Sequence, residues 1–311
     1  GPEFGSTKGE FLTATARSGK EAKTKIVRQT NWDIVSGQLR NLLLSDSLAR
    51  EGVWPYLDTM VRDSTISPRV KISIVEGETA GILGKFYAQH PSTSIYIDRL
   101  LETGISAEEI PRISLFEFQR DFLDDGIDPI TPVIKDRGND VEVTGLALFQ
   151  ADRYVGKIRA DDIPIFLMLF ENNRKLDIFQ DLGGEGEEPS YIMLSAVKSK
   201  RKVKARRLSS GSFELQVEVK AQGHITEYRG DQKISNDRQR RQLEQAISEK
   251  LAERLIALLQ RNKSDNLGFG KYVRNSMPYR TWKQLDWRKE FPEAKVRCQV
   301  RFTIQSFGKF G

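Results

Sequence analysis

From Phe213 to Lys220 the chain alternates without a break: Phe213, Leu215, Val217 and Val219 are apolar, and Glu214, Gln216, Glu218 and Lys220 are polar. Successive side chains of a strand point to opposite faces, so this run is predicted to be a strand with one dry and one wet face. A dry face needs a cover, and the sequence supplies one next. Ser235 or Asn236 is expected to open a long helix whose apolar positions Leu243, Ala246, Ile247, Leu251, Leu255, Leu258 and Leu259 recur at three and four residues. A second alternating run, Val296, Cys298, Val300, Phe302 and Ile304, closes the pattern. The expected result is an α+β domain over residues 187–311, a mainly antiparallel sheet against a long helix.

Upstream, helix and strand signals alternate. A helical stretch from Gly19 to Gln29 leads to the apolar run Leu39 to Leu44, and Asp46 or Ser47 is placed to cap a helix carrying Leu48, Leu57, Met60 and Val61. Pro68 closes that connection, Val70, Ile72 and Ile74 alternate as a strand, and a short helix follows around Ile82 and Leu83. A helix over Leu115 to Leu123 is expected to stop at Asp124-Asp125-Gly126, with Gly126 in the left-handed position and Pro129 and Pro132 as breakers. Then Val141 to Val143 and Tyr154 to Ile158 read as a hairpin around Gln150 to Arg153. Asp161 or Asp162 is expected to cap a helix that carries Pro164 in its first turn.

These signals suggest an α+β chain of three mixed α/β domains, each a β-sheet with packed helices: residues 7–130, a small β-β-α unit over 131–186, and 187–311. The acidic, glycine-rich stretch Gly183 to Pro189 marks the second boundary. Residues 1–6, GPEFGS, read as the remnant of a cleaved tag. The sequence is therefore expected to begin inside a longer protein, with a targeting or anchoring segment upstream and the first domain truncated at its start. The longest apolar run, Ile163 to Phe170, is far short of the roughly 20 residues that a spanning helix needs.

Chemistry is constrained by supply. His90 and His224 are the two histidines, in different proposed domains, and Cys298 is the one cysteine, phased onto the buried face of its strand. That supply argues against histidine-based triads, tetrahedral zinc sites and an intramolecular disulfide. The run Asp121, Asp124, Asp125, Asp128 lacks the spacing of a calcium loop and is better read as a helix terminus. No catalytic residue, metal or cofactor is expected. The strongest local charge feature is the basic run Lys198, Lys200, Arg201, Lys202, Lys204, Arg206 and Arg207, read as a strand face and hairpin that could meet a membrane or a partner. Without interleaved aromatics it is a poor fit to nucleic acid. The aromatic group Tyr272, Tyr279, Trp282, Trp287 and Phe291 is expected to pack a core between the long helix and the last strand.

Weak motifs along the whole chain add a resemblance. Leu48-Ala49 with Gly52, Leu57-Asp58, Arg62-Asp63, Gly145 to Phe149 followed by Val155-Gly156, Glu227, Asp265 with Gly268-Phe269-Gly270, then Trp282, Trp287, Phe291 and Gly308 resemble, in order and spacing, the Ger(x)C family of spore germinant receptor C subunits. The resemblance implies a non-catalytic lipoprotein, anchored by a lipidated, palmitate-carrying cysteine upstream, on the outer face of the spore inner membrane. It further implies the receptor's A and B integral-membrane subunits as partners; separately, the extracytoplasmic part is expected to be a monomer. An extracytoplasmic nutrient-binding module is the alternative. Gly268, Gly270 and Gly308 are expected to serve backbone conformation, and Trp282, Trp287 and Phe291 packing.

Overall fold

The computed structural model describes residues 9–88, 90, 92–172, 174–183, 190–230 and 236–307. The expected tag remnant, most of the Gly183–Pro189 stretch, Ser235 and Gly308 lie outside the described residues. Contacts group the chain into two compact units, one of Gly1–Asp124 with Asp128–Ala160 and one of Asp125–Ile127 with Asp161–Gly311.

The first unit contains α1 (Gly19–Val27), β1 (Asn41–Ser45), α2 (Asp46–Glu51), α3 (Trp54–Val61), β2 (Lys71–Glu76), α4 (Thr79–Leu83), α5 (Thr93–Ser106), α6 (Leu115–Leu123), β3 (Ile130–Asp136), β4 (Val141–Gln150) and β5 (Arg153–Arg159). Its sheet runs in chain order, β1-β2-β3-β4-β5. The first three strands are parallel because helices carry the chain across between them. The last three are antiparallel because short turns suffice. In β2 all of Ile72, Ser73, Ile74 and Val75 are buried, the mark of a strand covered on both faces. One core joins Ile72, Ile74 and Phe149 of the sheet to Ala49, Leu57 and Phe118 of α2, α3 and α6.

The second unit contains α7 (Ile163–Phe170), β6 (Leu176–Asp181), β7 (Tyr191–Arg207), β8 (Phe213–Arg229), α8 (Asp237–Arg261), α9 (Phe269–Asn275), α10 (Tyr279–Lys283), α11 (Trp287–Glu290) and β9 (Lys295–Phe307). The sheet order is β6-β7-β8-β9, antiparallel except for the β8–β9 pair. Phe213, Leu215, Val217 and Val219 are buried, and so are Leu243, Ile247, Leu251, Leu255, Leu258 and Leu259 of α8, as the two periodicities predict. Asn236 caps α8 by accepting from the Gln239 amide. Polar side chains of α8 also close the free edge of β9: the Phe302 amide donates to Ser248 Oγ at 2.9 Å, and the Ile304 amide donates to Glu244 Oε1 at 2.8 Å. Those two bonds hold the edge amides at 302 and 304, where the strand would otherwise offer free donors.

Several expectations change. The helix after β1 is two helices, because Gly52 takes φ +128°, and Ser45 caps the first of them in place of Asp46 or Ser47. Pro132 lies inside β3 rather than in a breaker, one residue before pairing with β2 begins, and so interrupts no bond on that side. The helix from Ile163 is buried all round, Phe166 and Leu169 included. The middle segment 131–186 divides between the two units, its hairpin in the first and its helix in the second. The strands flanking Gly183–Pro189 pair with each other, Asp181 with Tyr191. α5 and β6 are additional to the expected elements, and the aromatic-rich connection after α8 contains α9, α10 and α11.

In the β4–β5 pair, a Cβ at Gly145 would lie 2.1 Å from the carbonyl oxygen of Ile158. Gly145→Ala is therefore expected to destabilise the protein by about 2–3 kcal/mol, read as a lower urea midpoint with unchanged slope.

Candidate functional site

Strand β7 sorts the basic run by parity. Lys198, Lys200, Lys202, Lys204 and Arg206 are exposed on the outer face of the second sheet, while Ser199, Arg201, Val203 and Ala205 point to the other side. Across the ladder, Lys200 stands opposite Lys220 and Lys202 opposite Glu218, and Lys220 is in turn opposite Arg301 of β9. Glu214 is covered by two guanidinium groups, Arg206 at 2.9 Å and Arg297 at 3.1 Å, leaving its side chain 3% exposed. Burial works against its ionisation. Hydrogen bonds from Gln216 and Arg206 and the Arg297 charge outweigh that and hold its pKa below the usual carboxylate range.

Arg201 does not share that face, which corrects the expectation that the run acts as one patch. Its guanidinium lies over the rings of Phe269 and Tyr272, 5.7 and 5.9 Å from their centroids, and Nη2 donates to the Leu267 carbonyl at 2.8 Å. Burial pulls its pKa down, against the pull of Tyr272 and Asp265. Arg207 likewise turns away, to the Phe213 ring at 5.8 Å.

Behind the sheet the signature residues converge on one buried carboxylate. Asp265, 2% exposed, accepts from the Phe269 amide at 2.9 Å, the Gly270 amide at 2.6 Å and the Trp287 indole Nε1–H at 2.8 Å. The two amides open α9, so the carboxylate both satisfies the start of that helix and aims the indole. Gly268 takes φ +71°, the conformation expected of it. Gly270 does not: it serves space, since a Cβ there would sit 2.5 Å from Trp287 Nε1. Gly126 is also not left-handed as expected. A Cβ on it would meet the Lys271 amide nitrogen at 2.8 Å, so glycine there permits close backbone approach. Trp282, Trp287 and Phe291 are buried, with ring centroids 6.1 Å apart between Trp282 and Trp287 and 5.7 Å between Trp287 and Phe291; Tyr279 stays outside at 66% exposure. Sequence reasoning reached Asp265 only through the family pattern. The local signal was an aspartate four residues before a helix start.

The remaining candidates scatter. His90 stacks on Tyr96, and His224, inside β8, shares a hydrogen bond with Ser306 Oγ through Nδ1 at 2.7 Å. Cys298 is buried, and burial pushes its pKa up to about 11. Asp121 pairs with Arg120, Asp128 accepts from the Ala151 amide, and Asp125 pairs with Arg274 and Lys283. Among the described residues no cluster of His, Cys, Asp or Glu could hold a metal ion, and no helix is long and apolar enough to cross a membrane.

Two mixed α/β units, the second with an aspartate-organised aromatic cluster behind a basic sheet face, define the class of protein. Residues 1–136 match the family described as spore germination protein N-terminal domain, and residues 144–308 match spore germination B3/GerAC-like, C-terminal. The chain therefore belongs to the GerAC-like, or Ger(x)C, family, the family of spore germinant receptor C subunits. It is 23% identical to the spore germination protein GerQC of Bacillus cereus over 98% of this chain and 88% of that one. It is also 23% identical to the putative spore germination protein YfkR of Bacillus subtilis (strain 168), over 95% of this chain and 78% of that one. The fold is similar to the crystal structure of the GerBC protein, with TM-score 0.68 and 18% identity over 90% of this chain and 83% of that one.

Removing the Asp265 carboxylate leaves buried donors without their acceptor. Asp265→Ala is expected to cost about 3–5 kcal/mol and to alter tryptophan fluorescence, measured by urea unfolding followed at that emission. Burial disfavours ionised Asp125, but hydrogen bonds from Trp282, Lys283 and Arg274 dominate and lower its pKa. Its stabilisation is thus complete above the unfolded value of about 4 and fades as pH falls through the folded one. Asp125→Asn should flatten the loss of stability in acid, read from urea midpoints across that range. The Cys298 thiol should resist alkylation at mildly alkaline pH until the protein is unfolded, followed by mass spectrometry.

Proposed function

We propose that this chain is the extracytoplasmic part of a non-catalytic, lipid-anchored germinant receptor C subunit. In this reading it stands on the outer face of the spore inner membrane and supports assembly and signalling with the receptor's A and B integral-membrane subunits. The observation that carries the reading is that two spore-germination family domains together account for nearly the whole chain, over residues 1–136 and 144–308. The structure supports the non-catalytic half by what the residues behind the second sheet do. Asp265, Gly268, Gly270, Trp282, Trp287 and Phe291 hold one another in a packed cluster, and the Asp265 carboxylate is occupied with helix amides and an indole rather than open to a substrate.

Contact with partners is also favoured over capture of a nutrient by the shape of the surface. The groove bordered by Lys198, Lys200, Lys220 and Arg301, and the one bordered by Glu109, Arg137, Asp140 and Glu142, are open and lined by charge. Small-molecule sites are enclosed and bury most of their ligand.

Spores that lack the gene are expected to lose the nutrient response while still germinating with a non-nutrient trigger. Loss of both responses, or of neither, contradicts the reading. In fractionated spores the full-length protein should be found in the inner membrane with its partner subunits and be lost from it when the lipidated cysteine is replaced.

A further inference from the structure

The outer face of the second unit's sheet is a grid of charge. In the ladder from Lys198 to Arg206, β7 contributes Lys198, Lys200, Lys202, Lys204 and Arg206, each paired with an outward residue of β8. The β8 partners are Gln222, Lys220, Glu218, Gln216 and Glu214, and these pair in turn with Thr303, Arg301, Gln299, Arg297 and Lys295 of β9. Side chains opposite one another on paired strands share a face. None of these positions is apolar. Lys and Arg hold nine of them, Glu holds two, and Glu214 is already neutralised by Arg206 and Arg297.

We infer that this face is a docking surface for an anionic phospholipid bilayer. A bland alternative is that the lysines merely protect a free edge, since β6 pairs with β7 no further than Val197. Edge protection accounts for the β7 lysines alone. It does not account for Lys220, which lies on a strand paired on both sides, or for Arg301 on β9, beside the edge amides of Phe302 and Ile304 that α8 already holds. A protein partner would look for a buried aromatic or aliphatic anchor, and this grid offers none. Most of its cations are lysines, point charges on flexible stems that fit no fixed carboxylate geometry and suit a field of mobile phosphates. The open groove between Lys198, Lys200, Lys220 and Arg301 gives headgroup phosphates access to cations of all three strands.

The inference adds a second hold to the tethered subunit proposed above, but its test needs neither anchor nor partner subunits, so its failure leaves that reading standing. The chain as it exists is sedimented with vesicles of phosphatidylcholine alone and with vesicles of phosphatidylcholine mixed with phosphatidylglycerol. Binding is expected to the mixed vesicles only and to fall as salt rises. Each Lys→Gln change on the face should weaken partitioning about fivefold, so the combined Lys198→Gln, Lys200→Gln, Lys202→Gln, Lys204→Gln variant should lose on the order of several hundredfold. These side chains are exposed, and circular dichroism checks that the variant folds. The control variant Lys20→Gln, Lys23→Gln, Lys25→Gln, Arg28→Gln, at exposed positions in and beside α1, should bind as the parent does. No binding to mixed vesicles at low salt, or equal loss in the two variants, overturns the inference. Tighter binding to polyglutamate than to the vesicles also overturns it and assigns the face to an acidic protein.

Discussion

The second unit is organised by the need of one strand, β8, to be dry on one side. Its alternation from Phe213 to Val219 buries a continuous apolar row, and a row of that length requires neighbours on both edges and a cover on one face. β7 meets one edge through a short turn, antiparallel. The other edge is met by β9, parallel, because the intervening helices carry the chain back to the starting end. The cover includes α8, whose leucines recur at helical spacing, and the polar side chains of the same helix close the far edge of β9. The alternation that makes one face dry also fixes what the wet face shows. Lysines placed two apart on β7 fall into register with Lys220 on β8 and Arg301 on β9, and the charge adds up across strands.

A second constraint works behind that sheet. The connection from α8 to β9 must pack large aromatics while starting three short helices, whose first amides have no partners of their own. Asp265 serves the first of those helices, α9, and the Trp287 ring with one carboxylate, accepting from the amides of Phe269 and Gly270 and from the indole. Gly270 leaves room for the ring, and Gly126 leaves room for the backbone beside it. Burying a charge is costly unless it is fully hydrogen-bonded, so the cluster forms as a set. This gives a physical reason for Asp265, Gly268, Gly270 and the tryptophans to stand together in this chain.

Periodicity made much of this legible in advance. The β8 and β9 alternations, the α8 stripe, α6 and the β4–β5 hairpin each bury their own face, so their patterns survive in any tertiary setting. Where local pattern and global packing part, the reading failed for identifiable reasons. Thr93–Ser106 mixes β-branched residues and Gly104 into its helical stripe, which weakens its local helix signal. Ile163–Phe170 is apolar all round, which erases any face. Pro132 is tolerated in a strand only because of where the β2 ladder begins.

By itself the sequence determined the α+β class, the amphipathic strands and long helix of the second unit, the shortage of histidine and cysteine, and a family pattern spread along the chain. These rest on residue identity and spacing of short range. Only the tertiary structure decided that Arg201 leaves the basic run for the Phe269 and Tyr272 rings, that Gly126 and Gly270 serve space rather than conformation, and that Lys220, Arg297 and Arg301 join the β7 lysines on one face. Each of those facts depends on which strand or turn arrives opposite. Register between segments separated by tens of residues is set by packing the whole unit, not by any local run.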